Sequence, residues 1–458
     1  MPDAESDLGI LHGKLLDASG FPKNEIAYAP PCQTIEYLLA RRKLDIYKSD
    51  YPVPTEKEKL FRAVSAPTKF RSHSLTKGPK TKKERDVSED AATAAFLRVS
   101  PICQSCHLPS LHKSPRGSSV EDHDAVWNST VDELAHRGVQ LGQLLDFYDK
   151  LGTSVMPHFD ARRSTTNDVV RQAVIPLSWK PTALTDREGV AYAQIMQQGR
   201  PVLAERMVTH NWGNLFAHLV AAIVADALGS PDFGGIIKWL GKRGLPTLKL
   251  KLAEKQMLKT VYWICAFSVN QHKGICGGFG TPPPHGSQAF LEWDAKCRDT
   301  VTGEVYRVCA CPTKKHFNSS RDLCEMNKFD AMMAHLCRVS VGFQQVVAVD
   351  KAFSLFQRAW CVAELVEANM LGLNQALQLF SVDSMCDTEF DFSAIRVENC
   401  KATRPEDVEE ILAKIPDIEQ FNGDLQRLLN GQDGLLNREV KHWKKNMKAC
   451  KRLWAEVR

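Results

Sequence analysis

A carboxylate one helical turn after a tryptophan is the pattern in this chain best suited to chemistry. It lies in Arg358-Ala359-Trp360-Cys361-Val362-Ala363-Glu364-Leu365. Residues four apart on a helix sit one above the other, so the Trp360 ring is expected beside the Glu364 carboxyl. An aromatic wall lowers local water density, which raises a carboxyl pKa and favours a planar, cationic ligand. The same spacing equally suits a core tryptophan followed by an exposed helix carboxylate, and spacing alone leaves both open.

The elements that must position this pair are readable around it. Gln345 to Val349 is an apolar run with strand character, and Asp350 to Phe353 is the loop after it. Ser354 with Gln357 three residues on predicts a capping box and a helix start, and Gly372 predicts the stop. After Pro201, strand and helix patterns alternate, which predicts a parallel sheet with helices on both faces. The expected strands are 204–209, 261–269, 345–349, 376–380 and 394–397, and the expected helices 215–228, 324–337, 354–371 and 403–415. Ligands of such sheets bind beyond the carboxyl ends of the strands, where the start of the Glu364 helix lies.

Before this α/β unit, 121–195 reads as a helical lead-in. Thr130 with Glu133 forms a capping-box pattern ahead of Leu134, Leu141, Leu144, Leu145 and Tyr148, and Ser164 to Asp168 offers a second helix start. Residues 1–120 are rich in Pro, Ser and Lys, and between Lys69 and Arg85 seven Lys or Arg face one Glu. This composition reads as a disordered basic segment, either a polyanion-binding tail or a solvated linker. Cys103-Gln104-Ser105-Cys106-His107 has the spacing of covalent haem attachment, but export and a haem pocket are not suggested, so the match is set aside.

The 458 residues are 43% hydrophobic and 25% charged, as in ordinary globular proteins. The longest apolar stretch, Leu215 to Leu228, is too short to span a membrane and contains His218 and Asp226. The acidic start lacks a signal pattern, and 14 cysteines without export predict free thiols in a reducing, cytoplasmic setting. A net charge of +5, without interleaved basic and aromatic residues, argues against a nucleic-acid platform.

At the end of the chain, Leu436, Val440, Trp443, Met447, Cys450, Trp454 and Val457 alternate by four and three, with lysines outside the seam. This is a basic heptad helix, 431–458, suited to a coiled coil, an acidic partner, an anionic surface or docking onto its own domain.

Taken in order, the strand ending Met207-Val208-Thr209-His210-Asn211-Trp212, the strand from Trp263 to Val269, and Val346 to Val349 followed by Trp360-Cys361-Val362-Ala363-Glu364-Leu365 resemble TIR (Toll/interleukin receptor) domains over about 200–420. The resemblance implies a flavodoxin-like, doubly wound, five-stranded parallel sheet, here over 196–430. Enzymatic members cleave NAD at the nicotinamide–ribose bond, and others are adaptors. Carried over by position, Glu364 is the catalytic residue, with NAD as substrate and no separate cofactor. Trp360, Arg358, His210, Asn211, Trp212, Phe267, Ser268 and Asn270 are the expected substrate contacts, each with a structural alternative. The implied protein is a signalling NAD glycohydrolase that self-associates or binds a protein partner through its terminal helix. The alternative is a non-catalytic interaction module.

At 272–322, where that family carries a short loop, this chain has a long insertion. It holds Cys309, Cys311 and His316, with Cys324 just beyond it. Four soft ligands can hold zinc tetrahedrally, but the spacing is not that of a common finger, and free thiols are the expectation.

Overall fold

The structure, a computed structural model, describes residues 120–445 apart from 181–187, 231, 318–319, 321, 387 and 442–443. The basic segment, Cys103 to His107 and most of the heptad seam lie outside the described residues. The chain divides near Ser118, and its second unit, Ser119–Arg458, carries the α/β fold.

The lead-in supplies α1 (Val120–Ala135), β1 (Val139–Gln140) and α2 (Leu141–Lys150). Then come β2 (Arg206–His210), α3 (Phe216–Leu228), α4 (Leu245–Glu254) and β3 (Val261–Ile264). The insertion contributes α5 (Gln288–Lys296), and next are α6 (Phe329–Val339) and β4 (Gln344–Ala348). The chain continues through α7 (Ala359–Met370), β5 (Asn374–Gln378), α8 (Pro405–Lys414) and α9 (Ile418–Asn430).

One five-stranded sheet runs in the order β1-β3-β2-β4-β5. Strands β3, β2, β4 and β5 are mutually parallel, while β1 joins β3 antiparallel through Val139 and Tyr262. The period-2 alternation of strand side chains divides the core between the two faces. Val208, Ile264, Val346 and Ala348 join α2, α3 and α4 in one layer. On the other face Val347 and Leu377 meet α7 and α9, and Met207 and Trp263 meet α1 and α6. Helix α3 is apolar around nearly its whole circumference because it is buried around nearly its whole circumference. The result is a mixed α/β fold with a mostly parallel sheet. Among the described residues no helix is long and apolar enough to cross a membrane.

Several expectations change. The fifth strand expected at 394–397 is replaced by two 3-10 turns, Phe392–Ala394 and Val397–Asn399. Asp391 caps the first, and Asn422 Oδ1 accepts from Val397 N, so these amides are satisfied without an edge ladder. The fifth sheet member comes instead from the lead-in and is antiparallel, so 121–195 shares sheet and core with the α/β unit.

The strand expected over 261–269 stops at Ile264 and turns into a short helix, Cys265–Ser268, whose Ser268 hydroxyl accepts from Ile264 N. Thr130 does not start a helix: it lies within α1 and bonds back to Val126 O. Ser354 opens a 3-10 turn, Ser354–Gln357, and α7 starts at Ala359. The 3-10 turn is held by Asp350, whose carboxylate accepts from the amides of Ala352, Ser354 and Leu355. The helix start expected within Ser164 to Asp168 is present, with Thr165 as its cap and Asp168 completing the box, and Gly372, expected as the stop of α7, has φ +68°.

Candidate functional site

Strand β2 is central and flanked by parallel neighbours, so its carboxyl end opens where the loops to α3 and α7 meet. Thr209 projects on the α7 face, since Met207, two residues earlier, packs there and Val208 packs opposite. Its Oγ1 donates to Glu364 Oε2 at 2.6 Å. The donor chain continues beneath α7. Gln345 Nε2 donates to Thr209 Oγ1 at 2.8 Å, and Gln375 Nε2 donates to Gln345 Oε1 at 2.7 Å. Three polar side chains on adjacent strands thus point their donors in sequence toward one carboxyl group.

Glu364 itself is half-buried and has no ion-pair partner among the described residues. Burial pushes its carboxyl up to about 8, with the Thr209 hydrogen bond pulling the other way. Burial thus favours the protonated form of this carboxyl near neutral pH. Around it, Cys265 and Cys361 are close enough for the carboxylate to raise both thiols, on top of a larger effect of burial. Cys265 reaches about 12. Neither thiol is poised as a thiolate nucleophile. The titratable group of this edge is the carboxyl.

The expected contacts divide into those that share this edge and those that do not. His210 is buried, and burial lowers it to about 4. Its Nδ1 lies 3.2 Å from Val208 O and its Nε2 3.8 Å from Cys265 Sγ, the arrangement of a neutral ring donating from Nδ1. Trp212 Nε1 donates to Cys265 Sγ at 3.1 Å, and Cys361 Sγ to His210 O at 3.5 Å. Through Cys265 and Cys361, then, His210 and Trp212 surround the same place as Glu364. Asn211 closes its own turn by accepting from Gly213 N. Trp360 packs toward Phe329, with ring centres 6.1 Å apart.

Arg358 stands at the N-terminal boundary of α7 without a side-chain bond to the helix amides, and its guanidinium donates to Thr403 Oγ1 at 3.0 Å. The insertion brings Lys296 near it. Burial lowers the Lys296 ammonium, and Arg358 and then Lys401 add to the effect as like charges. A basic rim at the N-terminus of α7 results.

Phe267, Ser268 and Asn270 lie elsewhere. Phe267 is fully buried in an aromatic cluster, 5.3 Å from Phe147 and 5.9 Å from Tyr192. Ser268 and Asn270 belong to a buried clamp built on Arg137 and Glu325, a two-pronged ion pair at 2.8 and 3.2 Å. Arg137 also donates to Ser268 O, and Glu325 accepts from Asn270 N. Burial opposes the charge of Glu325, but the Arg137 guanidinium outweighs it and holds the carboxyl below its ordinary value. Asn270 further donates to Gly189 O.

Of the four residues considered as zinc ligands, Cys309 and Cys311 converge, and they do so with His272 and Cys276. His316 tethers its backbone to Lys273 O, and Cys324 is buried beside the Met326 and Asn327 amides. Sequence reasoning missed Thr209, Cys265, Cys361 and Gln345. Thr209 could have been found as the polar member of an otherwise apolar strand face, one residue before a strand's end. The partners across the sheet carry no such signal.

No family model, no curated protein and no solved structure matches this chain.

Proposed function

We propose that 196–430 is a TIR-like domain of flavodoxin-like arrangement and that the chain cleaves NAD at the nicotinamide–ribose bond, with Glu364 as the catalytic carboxylate. The Glu364 carboxyl is the main support: it has no cationic partner among the described residues, and it sits at the carboxyl end of the central strand in surroundings dry enough to hold its proton near neutrality. The strand order 2-1-3-4 among the four parallel strands is also that of doubly wound sheets of this type.

The chemistry is dictated by the charges. A bound nicotinamide ring is cationic, and its approach lowers the carboxyl pKa and ionises Glu364. As the C1′–N bond breaks, its electron pair leaves on neutral nicotinamide and positive charge develops on the ribose. The adjacent carboxylate stabilises that charge. Water then adds to C1′ and gives up a proton. Arg358, with Lys296 and the N-terminal amides of α7, offers a positive rim for the pyrophosphate. His210, held neutral, does not compete for the carboxylate.

A second reading also has support. The Gln375, Gln345, Thr209 and Glu364 chain staples α7 to three strands, which would suit a non-catalytic interaction module in which Glu364 is structural. In either case a signalling role through self-association belongs to the proposal. The test is to incubate concentrated full-length protein with NAD and follow nicotinamide release for the wild type and Glu364→Ala. Release that disappears in a folded variant supports the enzyme. Equal release from both, or none from wild type, leaves the interaction module.

A further inference from the structure

His272, Cys276, Cys309 and Cys311 present four ligand atoms within 4.8 Å of one another, and we propose that they bind one zinc ion that clasps the long insertion to the sheet edge. The four come from two places far apart in sequence. His272 and Cys276 lie in consecutive 3-10 turns just after the Cys265–Ser268 helix, and Cys309 and Cys311 lie at the returning end of the insertion. The backbone already holds the two segments in register, since Cys309 N donates to Cys276 O at 2.8 Å.

Two of the six edges between the ligand atoms are close to those of a zinc-centred tetrahedron. Zinc bonds of the usual lengths imply sulfur–sulfur edges of about 3.8 Å and sulfur–nitrogen edges of about 3.6 Å. Cys276 Sγ and Cys311 Sγ are 3.5 Å apart, and Cys309 Sγ and His272 Nδ1 are 3.8 Å apart. The widest edges would need to close by about 1 Å, within reach of side-chain rotation. Four protein ligands with no open position make a structural centre and not a catalytic one.

The surroundings fit an occupied site as well. His272 is buried, its Nδ1 faces the thiols, and its Nε2 lies 3.4 Å from Ser178 Oγ. A metal-bound imidazole needs such a partner for its other nitrogen. Gly189 makes room for the ring, because a Cβ there would stand 2.3 Å from His272 Cγ. Zinc with three thiolates and a neutral imidazole carries one net negative charge. Lys315 Nζ lies 3.1 Å from both Cys276 Sγ and Cys311 Sγ, where it cancels that charge and donates to the sulfurs. On binding, the three thiols release their protons to solvent as the sulfur–zinc bonds form.

The test uses full-length protein purified under reducing conditions, with zinc alone and then cobalt(II) alone as probes. One zinc per chain is expected after dialysis against metal-free buffer. The cobalt form should show intense tetrahedral bands and thiolate-to-metal charge transfer. Cys276→Ser and Cys309→Ser should each weaken zinc binding in chelator competition by at least the roughly 10–100-fold that loss of an outer-shell partner costs. His316→Ala and Cys324→Ser should leave it unchanged. The proposal is overturned if wild-type protein loses zinc on dialysis, if its cobalt form lacks thiolate charge transfer, or if His316→Ala or Cys324→Ser loses the metal. Recovery of Cys276 and Cys311 as a disulfide from freshly reduced cells also overturns it. The cobalt spectrum needs wild-type protein only, so misfolding of a cysteine variant does not blunt the test.

Discussion

Thr209 Oγ1 donates to Glu364 Oε2 across 2.6 Å, joining the next-to-last residue of the central strand to the sixth residue of α7. The hydroxyl can make this bond because Gln345 donates to it in turn. The helix is thereby fixed in rotation, and the carboxyl is held at the sheet edge without a neutralising charge. An ion pair would have lowered its pKa. A hydrogen-bond donor alone does so only in part.

Stability should register the raised carboxyl. In the fold Glu364 holds its proton up to about 8, whereas the unfolded chain releases it near 4.5. Between these values the folded state binds more protons, so this group's contribution falls as pH rises from about 4.5 to about 8. Urea titrations at both ends should show wild type losing about 1–3 kcal/mol more than Glu364→Gln, a range discounted for partial exposure. Parallel pH dependence of the two proteins would count against the buried carboxyl.

Catalysis by Glu364 should have the opposite slope. In the proposed reaction the carboxylate is the working form, so kcat/KM for nicotinamide release should climb with pH toward a midpoint near 8 in free enzyme. Thr209→Val removes the hydroxyl donor to the carboxylate and should move that midpoint up by about one unit. A profile unmoved by Thr209→Val would separate the catalytic group from Glu364.

Arg358→Ala should raise KM for NAD more than it lowers kcat, because in the proposed reaction the guanidinium at the start of α7 holds the pyrophosphate and takes no part in breaking the bond. The steady-state parameters read this directly. A fall confined to kcat would argue against a phosphate role.

The Arg137 and Glu325 pair is a structural prediction independent of function. Both side chains are buried, and Glu325→Gln leaves the Arg137 guanidinium with only the half-exposed Glu133 carboxylate, 2.7 Å away, so it should cost about 3 kcal/mol in denaturant unfolding, the low end for breaking a buried pair. Replacing both partners with apolar residues of similar volume should recover much of that loss.

Leu436 is buried and Val440 partly so against the domain's own core. Truncation after Gly434 should therefore lower thermal stability whatever else the tail does. Sedimentation velocity then distinguishes the uses of the rest of the seam. A smaller species than the full chain indicates assembly through the tail, and an unchanged species indicates docking in cis.

Much of the frame was legible because its signals are local. The apolar period of 216–228, the caps at Thr165 and Gly372, the proline at the start of α8 and the β-branched runs of β2 and β4 depend on neighbours within a turn or two. The misplaced elements depend on distant partners. The fifth strand, expected at 394–397, is supplied by Val139 and Gln140, whose pairing with Tyr262 and Val261 no local pattern announces. Thr130 has the spacing of a cap to Glu133, but packing of Val131 and Leu134 on α6 extends the helix through it.

The candidate chemistry divides in the same way. Trp360 and Glu364 could be singled out from the chain alone, since spacing along one helix is a one-dimensional fact. Which side chains surround the carboxyl is a three-dimensional one. Parallel strands brought Thr209, Cys265 and Gln345 to it, sent Phe267 into the aromatic core and committed Ser268 and Asn270 to the Arg137 clamp. Cys309 and Cys311 were visible as soft ligands in the sequence. Cys309 and Cys311 meet His272 and Cys276 because the insertion folds back on the turns where it begins, and only that closure brings the four ligand atoms within 4.8 Å of one another.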